Sequence, residues 1–208
     1  MIHILGRATS GNVQKVLFFC EEIGLKYSRE DYGRQFNNTN TDAYRKLNPN
    51  MKVPTLVDGD VVIWESHTIL RYLAALHAPK LHGATPAEHS YVERWMDWAL
   101  GALNTPYVAV FKDARKPESE RSADFAAQSA DLVAQLKVLD GHIGSKLYFA
   151  LERLTLADIA LAPLVTRCLA FPIEKPAFAE LTRWAKAIEA RPAFAVATGA
   201  KPSALNAA

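Results

Sequence analysis

The sequence predicts an α/β domain followed by an all-helical domain. Short apolar runs alternate with helical patterns in the N-terminal part, whereas apolar residues in the remainder recur only at helical spacing. Between the two parts, residues 77–86 lose this periodicity and contain two prolines and a glycine, as is typical of a linker. The predicted domains are therefore residues 1–78 and residues 86–208.

The first domain is predicted to begin with a strand, a helix and a second strand. An apolar run over residues 2–5 indicates the first strand. The helix is expected over residues 11–23, because its apolar side chains fall at helical spacing and Gly24 is a suitable stop. A second strand is predicted over residues 27–32.

A loop, a hairpin and a helix complete the predicted first domain, giving the order βαβ-ββα. Residues 33–50 are polar and rich in asparagine, which predicts a long loop with one helical turn. Strands at 55–57 and 61–64 flank the turn Asp58-Gly59-Asp60 and form a hairpin. Ser66 is the predicted N-cap of the next helix.

The second domain is predicted to be helical throughout, with helices at about 86–111, 117–143, 155–169 and 178–188. Thr155 and Asp158 stand three residues apart before an apolar run, which is the pattern of a capping box. Leu154 and Ile159 are placed to form the hydrophobic staple that accompanies such a box. We therefore assign Thr155 and Asp158 a structural role at a helix start.

Composition excludes several classes of protein. The 208 residues carry a formal charge of +2, and the charges balance in both predicted domains, so no basic surface for nucleic acid is indicated. Two cysteines, Cys20 and Cys168, are too few for a disulfide framework or a multi-cysteine metal site. The N-terminus lacks the basic segment of a signal peptide, and no apolar run reaches the ~18 residues of a membrane span. We expect a soluble cytoplasmic protein with reduced thiols and no membrane or nucleic-acid partner.

The segment Thr9-Ser10-Gly11-Asn12 is the first candidate for chemistry. It lies between the first strand and the first helix, where a side chain meets the partial positive charge of the helix N-terminus. That position suits an anion, including a thiolate. The alternative is an ordinary helix cap made by Ser10 or Asn12.

The segment from Lys52 to Thr55 is the second candidate. Pro54 stands just before a hairpin strand, where it has no N–H group for the ladder. A cis bond between Val53 and Pro54 at the end of the sheet would suit this position and leave the Val53 backbone available to an extended, peptide-like ligand. The alternative is a trans proline at a sheet edge, with no ligand.

The pair Glu65-Ser66 at the start of a helix is the third candidate. The Ser66 hydroxyl and the first helical N–H groups can hold a carboxylate, and Glu65 beside them can hold an ammonium group. Together they suit the head of an α-amino acid. The alternative is an ordinary cap preceded by a solvated glutamate.

Other residue types give weaker signals. The six histidines do not cluster at ligand spacing and no metal site is predicted; those in or beside the linker are expected to be solvated, namely His67, His77, His82 and His89. Cys20 falls within an apolar stripe and is expected to be an inert buried thiol. Tyr107 and Phe111 are core residues by default, or they line a cleft that faces the first domain.

Four motifs together resemble those of the cytosolic glutathione S-transferase family. In chain order they are TSGNVQKV at 9–16, NPNMKVP at 48–54, ESHTILRYL at 65–73 and LTLADI at 154–159. Each motif alone is modest, but their order and spacing extend over nearly the whole chain and are highly specific. The chain is similar to bacterial members of the serine-type branches (theta, beta-like and nu-like).

The resemblance implies a thioredoxin-like first domain, an all-helical second domain and a homodimer. It also implies glutathione as the co-substrate, bound mainly by the first domain. Ser10 matches the serine that donates a hydrogen bond to the glutathione sulfur in theta-type enzymes. Thr9 and Asn12 remain alternatives for that contact, as in nu-like relatives.

Several further positions match glutathione-binding residues of the family. Val53, before Pro54, matches the residue whose backbone pairs with the cysteinyl unit, and Lys52 matches a neighbouring polar contact. Glu65 and Ser66 match the pair that holds the γ-glutamyl head.

Two more positions bear on the match to the family. Asp158 matches the folding box of the family's sixth helix. Met51 stands where many relatives carry glycine, so the approach to the Val53–Pro54 bond is expected to differ here.

The implied activity is conjugation of the glutathione thiolate to small hydrophobic electrophiles, held near Tyr107 and Phe111. A thiol of pKa ~8.5 is only a few per cent ionised at pH 7, and lowering that pKa by ~2 units takes ~2.7 kcal/mol. A charge-assisted hydrogen bond contributes about 1.5–3 kcal/mol, which is the required order. Two alternatives stay open: a glutathione-dependent disulfide or peroxide reductase, and a non-catalytic ligand-binding protein of the same fold.

Overall fold

The computed structural model describes residues 1–199. The chain divides into two units. The first is Met1–Lys80 together with the segment that begins at Glu189, and the second is Leu81–Ile188.

The first unit is built on a four-stranded sheet with the order β2-β1-β3-β4. Its strands are β1 (Ile2–Leu5), β2 (Tyr27–Glu30), β3 (Thr55–Asp58) and β4 (Val61–Trp64). The β1–β2 pair is parallel, and the β1–β3 and β3–β4 pairs are antiparallel. This arrangement confirms the predicted thioredoxin-like βαβ-ββα order and the hairpin.

Each of the first three helices of this unit has a polar residue at its N-cap, namely Ser10, Thr41 and Glu65. These helices are α1 (Gly11–Glu22), α2 (Asp42–Leu47) and α3 (Ser66–His77). The polar stretch predicted as a loop with one helical turn contains α2, which begins where the Thr41 side chain accepts the Tyr44 N–H, and a 3₁₀ turn at Arg34–Phe36. The predicted cap at Ser66 is wrong by one residue, because Glu65 is the N-cap of α3.

A short C-terminal helix, α9 (Pro192–Thr198), packs on α1 within the first unit. The rings of Phe18 and Phe194 meet edge to face, with centroids 5.1 Å apart. Arg191 also pairs with Glu22 at the end of α1. The sequence predicts a single helical domain over residues 86–208. The structure instead assigns α9 to the first unit, because α9 packs on α1.

The second unit is helical, as predicted. Its first three helical segments follow one another without a break in the chain: α4 (Pro86–Trp98), a π-helical segment (Ala99–Leu103) and α5 (Asn104–Asp113). Three further helices follow: α6 (Phe125–Ile143), α7 (Leu156–Leu169) and α8 (Ala179–Glu189). The closest packing is between α4 and α7 and between α5 and α6. No helix within residues 1–199 combines the length and hydropathy of a membrane span.

The helix predicted at 117–143 begins later, at Phe125. The preceding residues form a 3₁₀ turn at Glu118–Glu120, held from one side by Asp113. The carboxylate of Asp113 accepts hydrogen bonds from the Ser122 N–H at 3.0 Å and from Lys116 Nζ at 2.6 Å. These bonds keep the segment from continuing as helix.

The capping box predicted at Thr155 and Asp158 is present at the start of α7. The Asp158 carboxylate accepts the Thr155 N–H at 3.0 Å and the Thr155 hydroxyl at 3.0 Å. It also accepts the Phe149 N–H at 3.0 Å and Trp184 Nε1–H at 3.2 Å. One buried carboxylate thus joins the start of α7 to the preceding loop and to α8.

Candidate active site

The sheet register brings three loops to one edge of the first unit. Leu5, the last residue of β1, pairs with Thr55, the first residue of β3, and Thr55 pairs with Trp64, the last residue of β4. The loop after β1, the loop before β3 and the residues after β4 therefore emerge together. These loops carry the three candidate sites that the sequence analysis predicted separately.

Ser10 occupies the N-cap of α1 without using its side chain as a cap. Its backbone is extended, its carbonyl accepts the Gln14 N–H at 2.9 Å, and its hydroxyl makes no capping hydrogen bond. The residue is only 8% exposed. A helix N-terminus leaves its first N–H groups without intrahelical partners, so the Ser10 hydroxyl and these groups can act on one anion.

The loop before Ser10 is held from both sides. The Ser10 N–H donates to the Arg7 carbonyl at 3.1 Å, and Gln14 Nε2 donates to the Ala8 carbonyl at 2.9 Å. A methyl group at Gly6 would come within 2.5 Å of Val13, so only glycine allows the loop to lie this close to α1. These contacts fix the position of the Ser10 hydroxyl.

The two alternative residues lie on either side of Ser10. Thr9 is exposed in the turn before α1, and Asn12 is half-buried in the first helical turn. Both are within the same short segment as Ser10.

The Val53–Pro54 peptide bond is cis, the first of the two alternatives that the sequence left open. Among residues 1–199, the Val53 backbone makes no hydrogen bond, because the β1–β3 ladder ends at Thr55. A methyl group at Gly6 would lie 3.4 Å from Val53 Cβ, so Val53 is beside the loop that leads to Ser10. The Val53 N–H and C=O groups are therefore open to an extended ligand near the N-terminus of α1.

A buried polar network that the sequence analysis missed supports this loop. Tyr44 Oη and Asn48 Nδ2 both donate to the Lys52 carbonyl at 2.8 Å. Thr55 Oγ1 lies 2.9 Å from Tyr44 Oη and 3.0 Å from Asn48 Nδ2. The Lys52 side chain itself is exposed. Asn48 was noted only as part of a polar loop and of the motif at 48–54, and nothing in its local sequence indicated burial.

Met51 adopts a positive φ of 52°, a backbone conformation that favours glycine. The chain therefore adopts a left-handed conformation two residues before Val53 although residue 51 carries a side chain.

Glu65 and Ser66 form the third part of the site. Glu65 has φ 68° and ψ 117°, which is strained for a residue with a side chain. Its carboxylate is exposed and accepts Asn50 Nδ2–H at 3.2 Å. Ser66 is 3% exposed at the first position of α3. A carboxylate thus stands beside a helix N-terminus with a hydroxyl, as the predicted amino-acid site requires.

His67, which was expected to be solvated, is buried beneath this site. It is 1% exposed, and its Nε2 atom lies 2.9 Å from Nζ of Lys15, which is also 1% exposed. Burial lowers the pKa of Lys15 to about 7, and the nearby negative charge of Glu65 partly opposes that change. The expectation was based on the position of His67 near the linker, and it failed because the partner that His67 meets, Lys15, is 52 positions away in the chain.

The predicted electrophile residues lie in the second unit. Tyr107 and Phe111 pack with Phe171, with ring centroids about 6 Å apart. Arg167 Nη1 donates to Tyr107 Oη at 3.2 Å. A groove of about 1000 Å³ in this unit is formed instead by the start of α6 and the loop after α7, so Tyr107 and Phe111 are not among its lining residues.

Cys20 and the histidine and acidic side chains are the remaining groups with reactive or metal-binding chemistry. Cys20 is fully buried, and burial raises the pKa of its thiol to about 12, so it is inert. Within residues 1–199, no group of three or more His, Cys, Asp or Glu side chains is arranged to hold a metal ion.

Comparison with known proteins agrees with this architecture. The model of the glutathione S-transferase N-terminal domain matches residues 9–76, and that of the C-terminal domain matches residues 96–192. Glutathione S-transferase GstB of Escherichia coli (strain K12) is 33% identical over 198 residues, which cover 93% of this chain and 95% of that protein.

Solved structures show the same similarity. A theta class glutathione S-transferase from Xanthomonas axonopodis pv. citri, solved with glutathione bound, has a TM-score of 0.87 and 38% identity, covering 95% of this chain and 96% of that chain. A glutathione transferase from Pseudomonas putida, solved with one glutathione disulfide per subunit, has a TM-score of 0.85 at 23% identity and covers 95% of this chain and 90% of that chain. With both domain models and a 33% identical full-length relative, the chain belongs to the glutathione S-transferase family.

Proposed function

We propose that the protein is a glutathione transferase that joins the sulfur of glutathione to a small hydrophobic electrophile. Family membership supports the reaction class. The observation that carries the proposal is the Ser10 hydroxyl, placed at the N-cap of α1 and not used by the cap. A cysteine at this position would favour thiol-exchange chemistry, and a serine favours stabilising the thiolate of a bound thiol.

Glutathione is proposed to lie along the edge where the three loops emerge. The Val53 backbone pairs with the cysteinyl unit, and Lys52 adds a polar contact beside Pro54. The α-carboxylate of the γ-glutamyl head binds the Ser66 hydroxyl at the N-terminus of α3, and its ammonium group binds Glu65. The unpaired backbone of Val53 and the strained backbone of Glu65 support this assignment.

In the proposed reaction, the glutathione thiol loses its proton to solvent and the thiolate accepts a hydrogen bond from Ser10. The first N–H groups of α1 add to the same stabilisation. A sulfur lone pair then forms the S–C bond to the electrophile, and the leaving group departs with its bonding electrons. Thr9 and Asn12 are the alternative donors.

The second unit is proposed to bind the electrophile through Tyr107 and Phe111. Their rings and that of Phe171 offer an apolar surface, and Arg167 adds donors beside the Tyr107 hydroxyl. This composition suits small aromatic electrophiles.

The reaction class is tested by retention on immobilised glutathione followed by two assays side by side. We expect conjugation of a chloronitrobenzene to exceed reduction of hydroxyethyl disulfide. The opposite order would favour the reductase alternative. Glutathione binding without either activity would favour the non-catalytic alternative.

Replacing Ser66 by alanine is expected to weaken glutathione binding without slowing chemistry. The hydroxyl contacts the γ-glutamyl carboxylate, far from sulfur, equally in the ground and transition states. Loss of such uniform binding raises the KM for glutathione about five- to fiftyfold and leaves kcat within about twofold. Steady-state kinetics at varied glutathione measure both constants. A collapse of kcat at saturating glutathione would contradict the assignment.

A homodimer is also proposed. The edge strand β4 exposes Val61, Val62 and Trp64 by 45%, 37% and 38%, which is unusual for apolar side chains of an edge strand. We expect sedimentation equilibrium at micromolar concentration to give twice the mass of one chain. Val62→Lys should shift the equilibrium toward the monomer, whereas a wild-type mass equal to one chain would refute the dimer.

We propose a cytoplasmic location. Cys20 and Cys168 are free and buried, as in proteins of reducing compartments, and the cytosol also supplies reduced glutathione.

A further inference from the structure

Lys15 and His67 form a buried pair that the proposed reaction does not use. Each is 1% exposed, and Lys15 Nζ lies 2.9 Å from His67 Nε2. Lysine is almost never fully buried without a partner, because burial penalises its charged form. A buried lysine of this kind either has its charge stabilised by a partner or has a pKa low enough for it to lose its charge near neutral pH.

The hydrogen bond limits the protonation states of the pair. Two fully protonated partners have no lone pair to share, so a hydrogen bond at this distance needs one neutral acceptor. Either the Lys15 ammonium donates to a neutral His67 ring, giving one positive charge, or a neutral Lys15 amine accepts from a ring N–H, giving one positive charge if the ring is protonated and none if it is neutral. The pair thus carries at most one positive charge while it is hydrogen-bonded.

The pair lies directly behind the proposed glutathione site. Lys15 is in the second turn of α1, whose N-cap is Ser10, and His67 immediately follows Ser66 on α3. It is thus a polar bond that joins the two helices whose N-termini form the site. The negative charge of Glu65 acts on Lys15, so the pair also senses the residue assigned to the ligand's ammonium group.

We propose that Lys15 is a positioning residue that, through His67, orients Glu65–Ser66 and supplies the positive charge that strengthens binding of the γ-glutamyl carboxylate. This inference rests on the proposed function, because it assumes that the γ-glutamyl head binds at Glu65–Ser66. The charge reinforces the partial positive charge of the α3 N-terminus, where the carboxylate lies. The ligand's ammonium group lies instead against the Glu65 carboxylate, whose negative charge acts on Lys15 as well and offsets the repulsion between the two cations.

A pH dependence follows from the state of Lys15. Burial lowers its pKa to about 7, so Lys15 is charged below that pH and neutral above it. Glutathione binding is therefore expected to weaken as the pH rises through about 7.

Two other charged side chains on these helices or beside them, Arg71 and Arg191, do not supply this change. Arg71 lies one turn beyond His67 on α3, and arginine stays charged throughout this range. Helix α9 also packs on α1, and its residues Pro192–Thr198 include none that titrate. Arg191, just before it, pairs with Glu22 at the opposite end of α1.

The test is the Kd of S-methylglutathione between pH 6 and 8, measured by calorimetry. This ligand has the γ-glutamyl head but no ionisable thiol, so thiolate formation does not contribute. For the wild type we expect the Kd to rise about three- to tenfold over this range. Lys15→Met should bind weakly at pH 6 with a nearly constant Kd, and the exposed-lysine control Lys26→Met should follow the wild type.

Any titration of the ligand itself is common to all three proteins and appears in the Lys15→Met profile. A constant wild-type Kd, or a Lys15→Met profile equal to that of the wild type, would overturn the inference. If Lys15→Met does not fold, the pH dependence of the wild-type Kd by itself tests the inference. Absence of binding by the wild type at every pH would instead overturn the glutathione assignment itself.

Discussion

Ser10→Ala is expected to lower kcat by about 10- to 10³-fold, because it removes a donor to the developing thiolate. The pKa of bound glutathione should rise toward the ~8.5 of a free thiol, while glutathione binding is largely kept. The variant should be almost as stable as the wild type, since the Ser10 hydroxyl makes no capping hydrogen bond. A pH titration of thiolate absorbance in the binary complex measures the effect.

Thr9→Ala and Asn12→Ala, titrated in parallel, are the matched controls for Ser10. Both residues lie within the same short segment, and neither is expected to shift the thiolate titration as far as Ser10→Ala does. If one of them shifts it upward and Ser10→Ala does not, the catalytic role belongs to that residue. If none of the three shifts it, backbone N–H groups alone hold the thiolate and the side-chain mechanism is wrong.

Asp158→Ala is expected to destabilise the fold severely and to leave chemistry unaffected. Four donors converge on this fully buried carboxylate, from Phe149, Thr155 and Trp184. Removing their common acceptor leaves buried donors unsatisfied and should cost about 3–5 kcal/mol, a large fraction of the about 5–15 kcal/mol that stabilises a typical domain. Denaturant unfolding measures the loss. A stable variant that folds but does not bind glutathione would contradict the structural role.

The stability contributed by Asp158 also depends on pH. Burial raises the pKa of this carboxyl to about 6, although the four hydrogen bonds favour its charged form. Since the folded pKa lies above the unfolded value, this contribution is complete below about pH 4 and is lost as the pH rises through about 6. The stability of the wild type relative to Asp158→Asn should therefore fall by about 2–3 kcal/mol between pH 4 and pH 7. A constant difference would show that the carboxylate is charged throughout this range.

The features predicted correctly from the sequence are those that neighbouring residues determine. The hairpin follows from the turn Asp58-Gly59-Asp60, and the start of α7 follows from the Thr155–Asp158 spacing, because each depends on hydrogen bonds within a few residues. The family followed from the order of four short motifs. The cis bond at Val53 was one of two alternatives that the local sequence offered for a proline that cannot donate to the ladder.

Element boundaries and helix caps were predicted less well. The cap of α3 is Glu65 and not Ser66, and α6 begins at Phe125 and not near Pro117. In the second case the side chain of Asp113 holds the intervening turn, and its hydrogen bond to the Ser122 N–H spans nine positions along the chain. A sequence pattern that spans one helical turn is too short to reveal a contact between residues nine positions apart.

The sequence by itself determined the family, the order of elements and the three segments that carry the candidate site. Only the tertiary structure decided that these segments meet, through the register of Leu5, Thr55 and Trp64, and that α9 packs on α1. It alone placed Lys15 against His67, 52 positions apart in the chain. The physical reason is that burial and hydrogen-bond partners depend on packing between distant residues, whereas propensity and capping depend on neighbours along the chain.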